Sequence, residues 1–287
     1  SLYTRMRQKS VDLRKIVSTH LERSSKKLDL QLKQLKDTEK RDKFKVYGEL
    51  LNTYGYQVTE GAKSVEVPNY YTGEMLTIPL DETLSPLDNA KKYFARYNKL
   101  KRTFEALNTQ TEETKAEIAH LQTIQAALAI AESEDDLAQI RDELETYGYI
   151  RRKMNGKKKQ KFKSKPFHYR SSDGFDIYVG KNNFQNDELT FKVANGNDWW
   201  FHAKGMPGSH VIVKTEGREL PDRTFEEAGR LAGYYSSGRD NEKIEIDYLQ
   251  RKNVKKPNGA VAGYVIYYTN YSLTIHPDIS GIEKISE

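Results

Sequence analysis

Over residues 2–51 apolar side chains return at the spacing of one helix face: Leu2, Met6, Leu13, Ile16 and Val17, Leu21, Leu28, Leu32, Leu35, Val46 and Leu50. Charged residues fill the intervals and no proline interrupts them, so the spacing predicts one amphipathic helix roughly 75 Å long. A stripe that narrow needs a partner helix. The partner opens at Ser85-Pro86, a capping serine with proline in the first helical position. It carries Leu87, Ala90, Phe94, Tyr97, Phe104, Leu107, Ile118, Leu121, Ile124 and Leu128. Between the two, SVEVPNYYTGEMLTIPLDE alternates around Tyr71-Thr72-Gly73 and predicts a small β-hairpin at the tip of an antiparallel coiled-coil hairpin. A short third helix follows, capped by Ser133 with Asp136 in the capping-box position. Thr-Tyr-Gly-Tyr occurs at 53–56 and again at 146–149, each time where a helix should stop at glycine.

Beyond residue 165 the period changes from 3.6 to 2. Strands are predicted at Phe167–Arg170, Phe175–Val179, Trp199–Ala203, His210–Thr215, Ile244–Leu249, Tyr264–Tyr268 and Tyr271–Ile275. Helices are predicted near Asn186–Val193 and from an Asp222 cap to Ser237. The fold class is therefore α+β: a long antiparallel coiled-coil hairpin with a small β tip, followed by a compact, mostly antiparallel α+β domain. The boundaries fall at 1–150 for the coiled coil, with its β-hairpin tip near 58–84, at 151–165 for a linker, and at 166–287 for the second domain.

Charge changes this picture at one place. The chain carries a net +6, yet residues 1–150 hold 23 Lys/Arg against 24 Asp/Glu and residues 166–287 hold 15 against 17. All of the excess lies in the linker, where Arg151, Arg152, Lys153, Lys157, Lys158, Lys159, Lys161, Lys163 and Lys165 meet no acid. Such a strap can engage several phosphates, or it is a solvated linker. A second basic cluster, Arg251, Lys252, Lys255 and Lys256, precedes Asn258-Gly259, where a ligand can approach backbone closely, or where an ordinary charged turn stands. The tip offers Lys63, Tyr70 and Tyr71, and the two tyrosine rings could stack on bases, pack on a protein or close a mini-core of the hairpin. The chain has no cysteine, which excludes disulfides, thiolate metal sites and cysteine nucleophiles. No window is long and apolar enough for a membrane span, and the SLYTRMRQKS start reads as a piece of a longer protein.

The densest chemistry is NDWWFHAKGMPGSHVIV, residues 197–213. As a β-hairpin it directs Trp199, Phe201, Val211 and Val213 to one side. Trp200, His202, Lys204 and His210 fall on the other and are expected to form a binding face. Two histidines could instead be structural, or serve as an acid/base or metal pair. No serine or cysteine nucleophile, H-E-x-x-H pattern or glycine-rich phosphate loop completes a catalytic set. No catalytic residue, metal or cofactor is expected, and the chain is read as no enzyme.

NAKKYFARYNKLKRT (89–103), the basic strap, DWWFHAKGMPGSHVIV (198–213), EEAGRLAGYYSSGRD (226–240) and VKKPNGAVAGYVIYYTNYSLTIHPD (254–278) together resemble the C-terminal half of the NFACT family. Its bacterial members are RqcH-type ribosome quality-control factors, long named fibronectin/fibrinogen-binding proteins. The resemblance covers a coiled-coil middle domain and the domain called NFACT-R, and leaves out the family's N-terminal domain and helix-hairpin-helix region. It implies a cytoplasmic, ribosome-associated protein that engages large subunits carrying obstructed peptidyl-tRNA. It also implies support for alanyl-tRNA recruitment during C-terminal alanine tailing. The implied partners are the large ribosomal subunit, through rRNA and a stalk-base protein, and tRNA. Two alternatives stand beside it: a fibronectin-binding surface adhesin module with a cell-surface pool, and a His-dependent RNA-processing enzyme using His202 and His210.

Overall fold

The computed structural model describes residues 1–152 and 162–286. By backbone contacts the chain divides into two compact units, Ser24–Ala116 and Ser1–Arg23 with Glu117–Glu287.

Helix α1 (Leu2–Asp37) and α2 (Arg41–Tyr54) fill the predicted long helix, separated by a single tighter turn at Thr38–Lys40. The buried Thr38 causes the break, because its hydroxyl turns back onto the Leu35 carbonyl at 2.6 Å and competes with the helical ladder. The partner is α3 (Pro86–Ile130), and the Ser85 hydroxyl accepts from Asp88 N as the cap predicted. In the first unit Thr114 on α3 donates to Gln31 on α1 at 2.9 Å, both buried. The hairpin of β1 (Ser64–Pro68) and β2 (Met75–Pro79) turns through Asn69–Gly73, with Gly73 at φ +77. Its inner residues Val67 and Ile78 pack on Phe44, Tyr47, Leu50, Leu51 and Tyr93.

In the second unit Leu13 and Val17 of α1 meet Leu121, Ile124 and Leu128 of α3, and α4 (Glu134–Thr146) closes this core with Leu137, Ile140 and Leu144. Ser133 caps α4 by accepting from Asp136 N. The Asp136 carboxylate takes the Glu132 amide rather than that of Ser133, so the capping box is displaced by one residue.

The rest of this unit is a seven-stranded antiparallel sheet: β3 (Phe167–Arg170), β4 (Asp176–Val179), β5 (Trp199–Ala203), β6 (Val211–Val213), β7 (Ile244–Gln250), β8 (Tyr271–Ile275) and β9 (Glu283–Ile285), in the order β8-β7-β5-β6-β4-β3-β9. Helix α5 (Asn183–Glu188) starts three residues earlier than the spacing indicated, because Asn182 caps it through the Gln185 amide; it ends in a wider turn at Leu189–Val193. Helix α6 (Asp222–Tyr234) begins after Pro221 with no side-chain cap, so Asp222 is its first residue and not its cap.

Both faces of the sheet are covered. On one, Phe201, Ala203, Val211, Val213, Val179 and Ile177 lie under Ala228, Leu231, Ala232 and Tyr235 of α6 and its end. On the other, Tyr178, Ile212, Trp200 and Leu249 form one register row across four strands. Leu189, Phe191 and Ala194 after α5, and Val254, Val265 and Tyr267 from the loop after β7, pack over that row. Trp200 is 1% exposed, whereas Trp199 is only half-buried at the edge of the first face. The two tryptophans therefore exchange the roles that alternation alone suggested. The predicted strand at 264–268 is not formed; a single backbone pair, Lys255 with Ile266, stands in its place. Trp200→Ala should cost about 3 to 5 kcal/mol, as for other fully buried large aromatics, and Trp199→Ala clearly less. Urea unfolding followed by circular dichroism ranks the two.

Candidate nucleic-acid interface

The expected binding face of Trp200, His202, Lys204 and His210 lies beneath a second layer of chain. Trp200 and His210 are buried and His202 is partly exposed. Their rings form a cluster, Trp200 to His210 at 5.1 Å, Trp200 to His202 at 5.6 Å and Trp200 to Tyr267 at 5.2 Å. Lys204 is the most exposed of the four, and Glu245 at 3.4 Å and Asp247 at 3.8 Å partly neutralise it. Alternation put these four side chains on one face, and the loop after β7 then covers that face.

His210 is a structural tie. Its Nε2 lies 3.1 Å from the Gly263 carbonyl, which can only accept, so Nε2 carries the proton. Nδ1 is then free to accept from the Thr190 hydroxyl at 2.8 Å. Burial, reinforced by the neighbouring His202, pushes the His210 pKa down to about 3. Burial likewise lowers that of His202, against the pull of Asp247. Both imidazoles are neutral at neutral pH. Among the described residues no group of three or more His, Cys, Asp or Glu side chains could hold a metal ion.

The loop that covers Trp200 is pinned from several sides. Ala262 N donates to the Tyr147 hydroxyl at 2.8 Å and Gly263 N to Asp187 at 2.9 Å. The Lys256 ammonium lies 3.0 Å from Asp187 and donates to the carbonyls of Val261 and Tyr264. Gly263 is required here: its φ is +83, and a Cβ would stand 2.3 Å from the Asn183 amide oxygen. Lys256 is thus spent inside the protein. Arg251 is too, donating to the Thr190 carbonyl at 2.6 Å with its guanidinium 5.0 Å from the Phe191 ring centre. Of the second basic cluster, Lys252 and Lys255 remain exposed.

Below the loop, the helical base meets α5 through buried polar groups. The Glu143 carboxylate, fully buried, accepts from His120 at 2.9 Å and from the Asn183 amide at 2.8 Å. Gln139 accepts from Asn182 and Gln185, and Lys181 lies 3.3 Å from Asp136. Of these positions sequence reasoning named Asp136 alone, and only as part of a helix cap, since helical polar residues ordinarily face solvent.

In the strap, Arg152 pairs with Asp142 at 3.4 Å, while Arg151, Lys163 and Lys165 are exposed. Lys153, Lys157, Lys158, Lys159 and Lys161 lie outside the described residues. At the tip Lys63, Tyr70 and Tyr71 are exposed and do not join the hairpin's apolar core. The Tyr71 hydroxyl donates to Glu49, which pushes its pKa up to about 12. Sequence reasoning also passed over Tyr264 and Tyr268, which are 55% and 85% exposed. The signal available was six aromatic or β-branched residues in a row from 264 to 269, eight positions after Lys256.

The histidines set a pH dependence. A His whose folded pKa lies below the unfolded value of 6.5 leaves the unfolded chain binding more protons in acid. The second unit should keep full stability above about pH 6.5 and lose up to about 1.4 kcal/mol per pH unit for each such histidine as pH falls below it. Urea midpoints at pH 7, 6 and 5 measure this slope, and His210→Gln should reduce it.

Two family models match in succession. One, described as NFACT N-terminal and middle domains, matches residues 2–163; the other, described as NFACT protein RNA binding domain, matches 165–267. The chain is 40% identical over 98% of its length to the Rqc2 homolog RqcH of Streptococcus suis, and 36% identical over 99% to that of Bacillus subtilis. It spans about half the length of these curated relatives, 50% of each. A solved structure, the C-terminal of the fibronectin/fibrinogen-binding protein from Streptococcus suis, superposes with a TM-score of 0.77 at 34% identity, over 98% of this chain and 100% of that one. With matches that run from one end of the chain to the other in the same order, the chain belongs to the NFACT family.

Proposed function

We propose that this chain is the RNA- and ribosome-binding portion of a ribosome quality-control factor. In this reading it engages large subunits carrying obstructed peptidyl-tRNA and supports recruitment of alanyl-tRNA for C-terminal alanine tailing. The observation that carries the reading is the match of residues 165–267 to an RNA binding domain, in a chain whose relatives are named Rqc2 homolog RqcH. Charge supports it, since nine basic residues without an acid lie at 151–165, at the entry to that domain, and would exchange condensed counterions for phosphates. The partners in this reading are rRNA, a stalk-base protein and tRNA, and the place of action is the cytoplasm. No helix of the described residues is long and apolar enough to cross a membrane.

Peptidyl transfer would remain the ribosome's chemistry, and this chain would act by binding. His210 supports that division, because it is buried and spends both ring nitrogens on Thr190 and Gly263. A second reading, binding of fibronectin, is favoured only by the name of the Streptococcus suis structure.

Co-sedimentation with purified large subunits, and separately with fibronectin, across a salt series tests both readings. Association with large subunits that weakens steeply with salt is the expected result; fibronectin binding without subunit binding would reverse the assignment. Changing Lys157, Lys158, Lys159 and Lys161 to Gln should flatten the salt slope by on the order of 0.7 to 0.9 for each phosphate no longer neutralised. Deleting residues 59–81 should leave the sheet domain folded while impairing attachment to subunits.

A further inference from the structure

The loop after β7 does more than cover Trp200. From Tyr264 onward its side chains alternate: Val265 and Tyr267 pack inward against the Trp200 cluster, while Tyr264, Ile266 and Tyr268 lie outside it. Lys255 is paired with Ile266 through two backbone hydrogen bonds of 2.9 Å, which sets its side chain beside this outward row. Lys252 lies in the same turn, and the Lys255 ammonium donates to its carbonyl at 3.1 Å. Two strongly exposed phenol rings thus stand on a backbone that carries two exposed ammonium groups.

We propose that this outward row is a binding site for unpaired RNA, in which Tyr264 and Tyr268 stack on bases while Lys252 and Lys255 meet the adjoining phosphates. The proposal rests on the RNA-binding reading above and names the class of RNA and the residues. Three features of the strip support it. Free rings offer π faces that a base can use only when it is not already stacked inside a duplex, which selects single-stranded segments. Cations beside the rings suit a backbone that carries one charge per nucleotide, whereas an apolar protein partner would be met by an apolar surround. The strip is also held before any ligand arrives. Its start at Ala262-Gly263 is fixed by Tyr147, Asp187 and His210, Lys256 clamps the Tyr264 carbonyl, and Asp247 accepts from the Tyr267 hydroxyl at 2.6 Å. Little ordering is then left to oppose binding.

Both rings are exposed, so their removal leaves the core untouched, which circular dichroism and the thermal midpoint verify. The test compares the whole chain with its Y264A, Y268A, Y268F and K255Q variants. Each is titrated with a fluorescein-labelled oligouridylate of about 12 nucleotides, within the span such sites cover, and with an RNA hairpin of equal charge. The oligouridylate should bind more tightly than the hairpin, and Y264A and Y268A should each weaken it about fivefold to a hundredfold, the range for loss of one stacked base. Y268F should bind as the unchanged chain does, because stacking needs the ring and not the hydroxyl. K255Q should lower the salt slope by about one. Equal affinity for hairpin and oligouridylate, or unchanged affinity in both tyrosine variants, would overturn the proposal. So would tyrosine variants that keep oligouridylate affinity but no longer bring down large subunits in co-sedimentation, since the rings would then dock a ribosomal protein. Failure of the unchanged chain to sediment with large subunits falls instead on the functional reading, so the two failures are distinguishable.

Discussion

The sheet of the second unit has two apolar faces, and the need to cover both shapes everything around it. One face is closed in the ordinary way by the amphipathic α6. The other presents the row Tyr178, Ile212, Trp200 and Leu249, and only the short α5 with its extension and one long loop are available to close it. A loop can do this only if its backbone polar groups are satisfied on the way. His210, Asp187, Tyr147 and Lys256 provide those partners, and a glycine at 263 lets the chain pass close to Asn183. Burying Trp200 and holding the loop rigid are thus one and the same arrangement. Its indole N–H finds no acceptor among the described residues, so packing alone fixes the ring.

The same loop ties the sheet to the helical base. Tyr147 follows the end of α4 and receives the Ala262 amide, while Glu143, one turn earlier, binds both His120 of α3 and Asn183 of α5. A fully buried carboxylate is expensive unless its oxygens are paired; one oxygen of Glu143 has two donors, and the other finds none among the described residues. Such a junction accepts one geometry and penalises slippage, which is how polar contacts specify an orientation that apolar packing would leave loose. The base of the helical hairpin and the sheet domain are, in consequence, one compact unit.

Much of the fold was legible in the sequence because its signals are local. The helical stripe from Leu2 to Leu50, the Ser85-Pro86 start, the Ser133 cap and the hairpin around Gly73 depend on neighbours a few residues away. The strand β9 left no trace, since its three residues Glu283–Ile285 carry no alternation. Alternation correctly separated Trp199 from Trp200 but could not say which face would be buried more deeply, because that depends on a loop some fifty residues further on. The basic clusters were visible as composition, yet composition does not distinguish Lys256, held by Asp187, from the exposed Lys255. Tyr264 and Tyr268 were hidden for the opposite reason: a run of aromatic and β-branched residues reads as a strand. Inward packing of Val265 and Tyr267 is what turns their neighbours outward.

On this view the covering loop presents its outer side chains to RNA while its inner ones hold the sheet. Ultraviolet crosslinking of the chain bound to large subunits, with crosslinked peptides mapped by mass spectrometry, tests that division most directly. Nucleotide adducts are expected on Tyr264 or Tyr268 and none on Tyr267, which is turned into the core with its hydroxyl on Asp247. Adducts confined to the helical hairpin tip at Tyr70 and Tyr71, with the loop tyrosines unmodified, would contradict it.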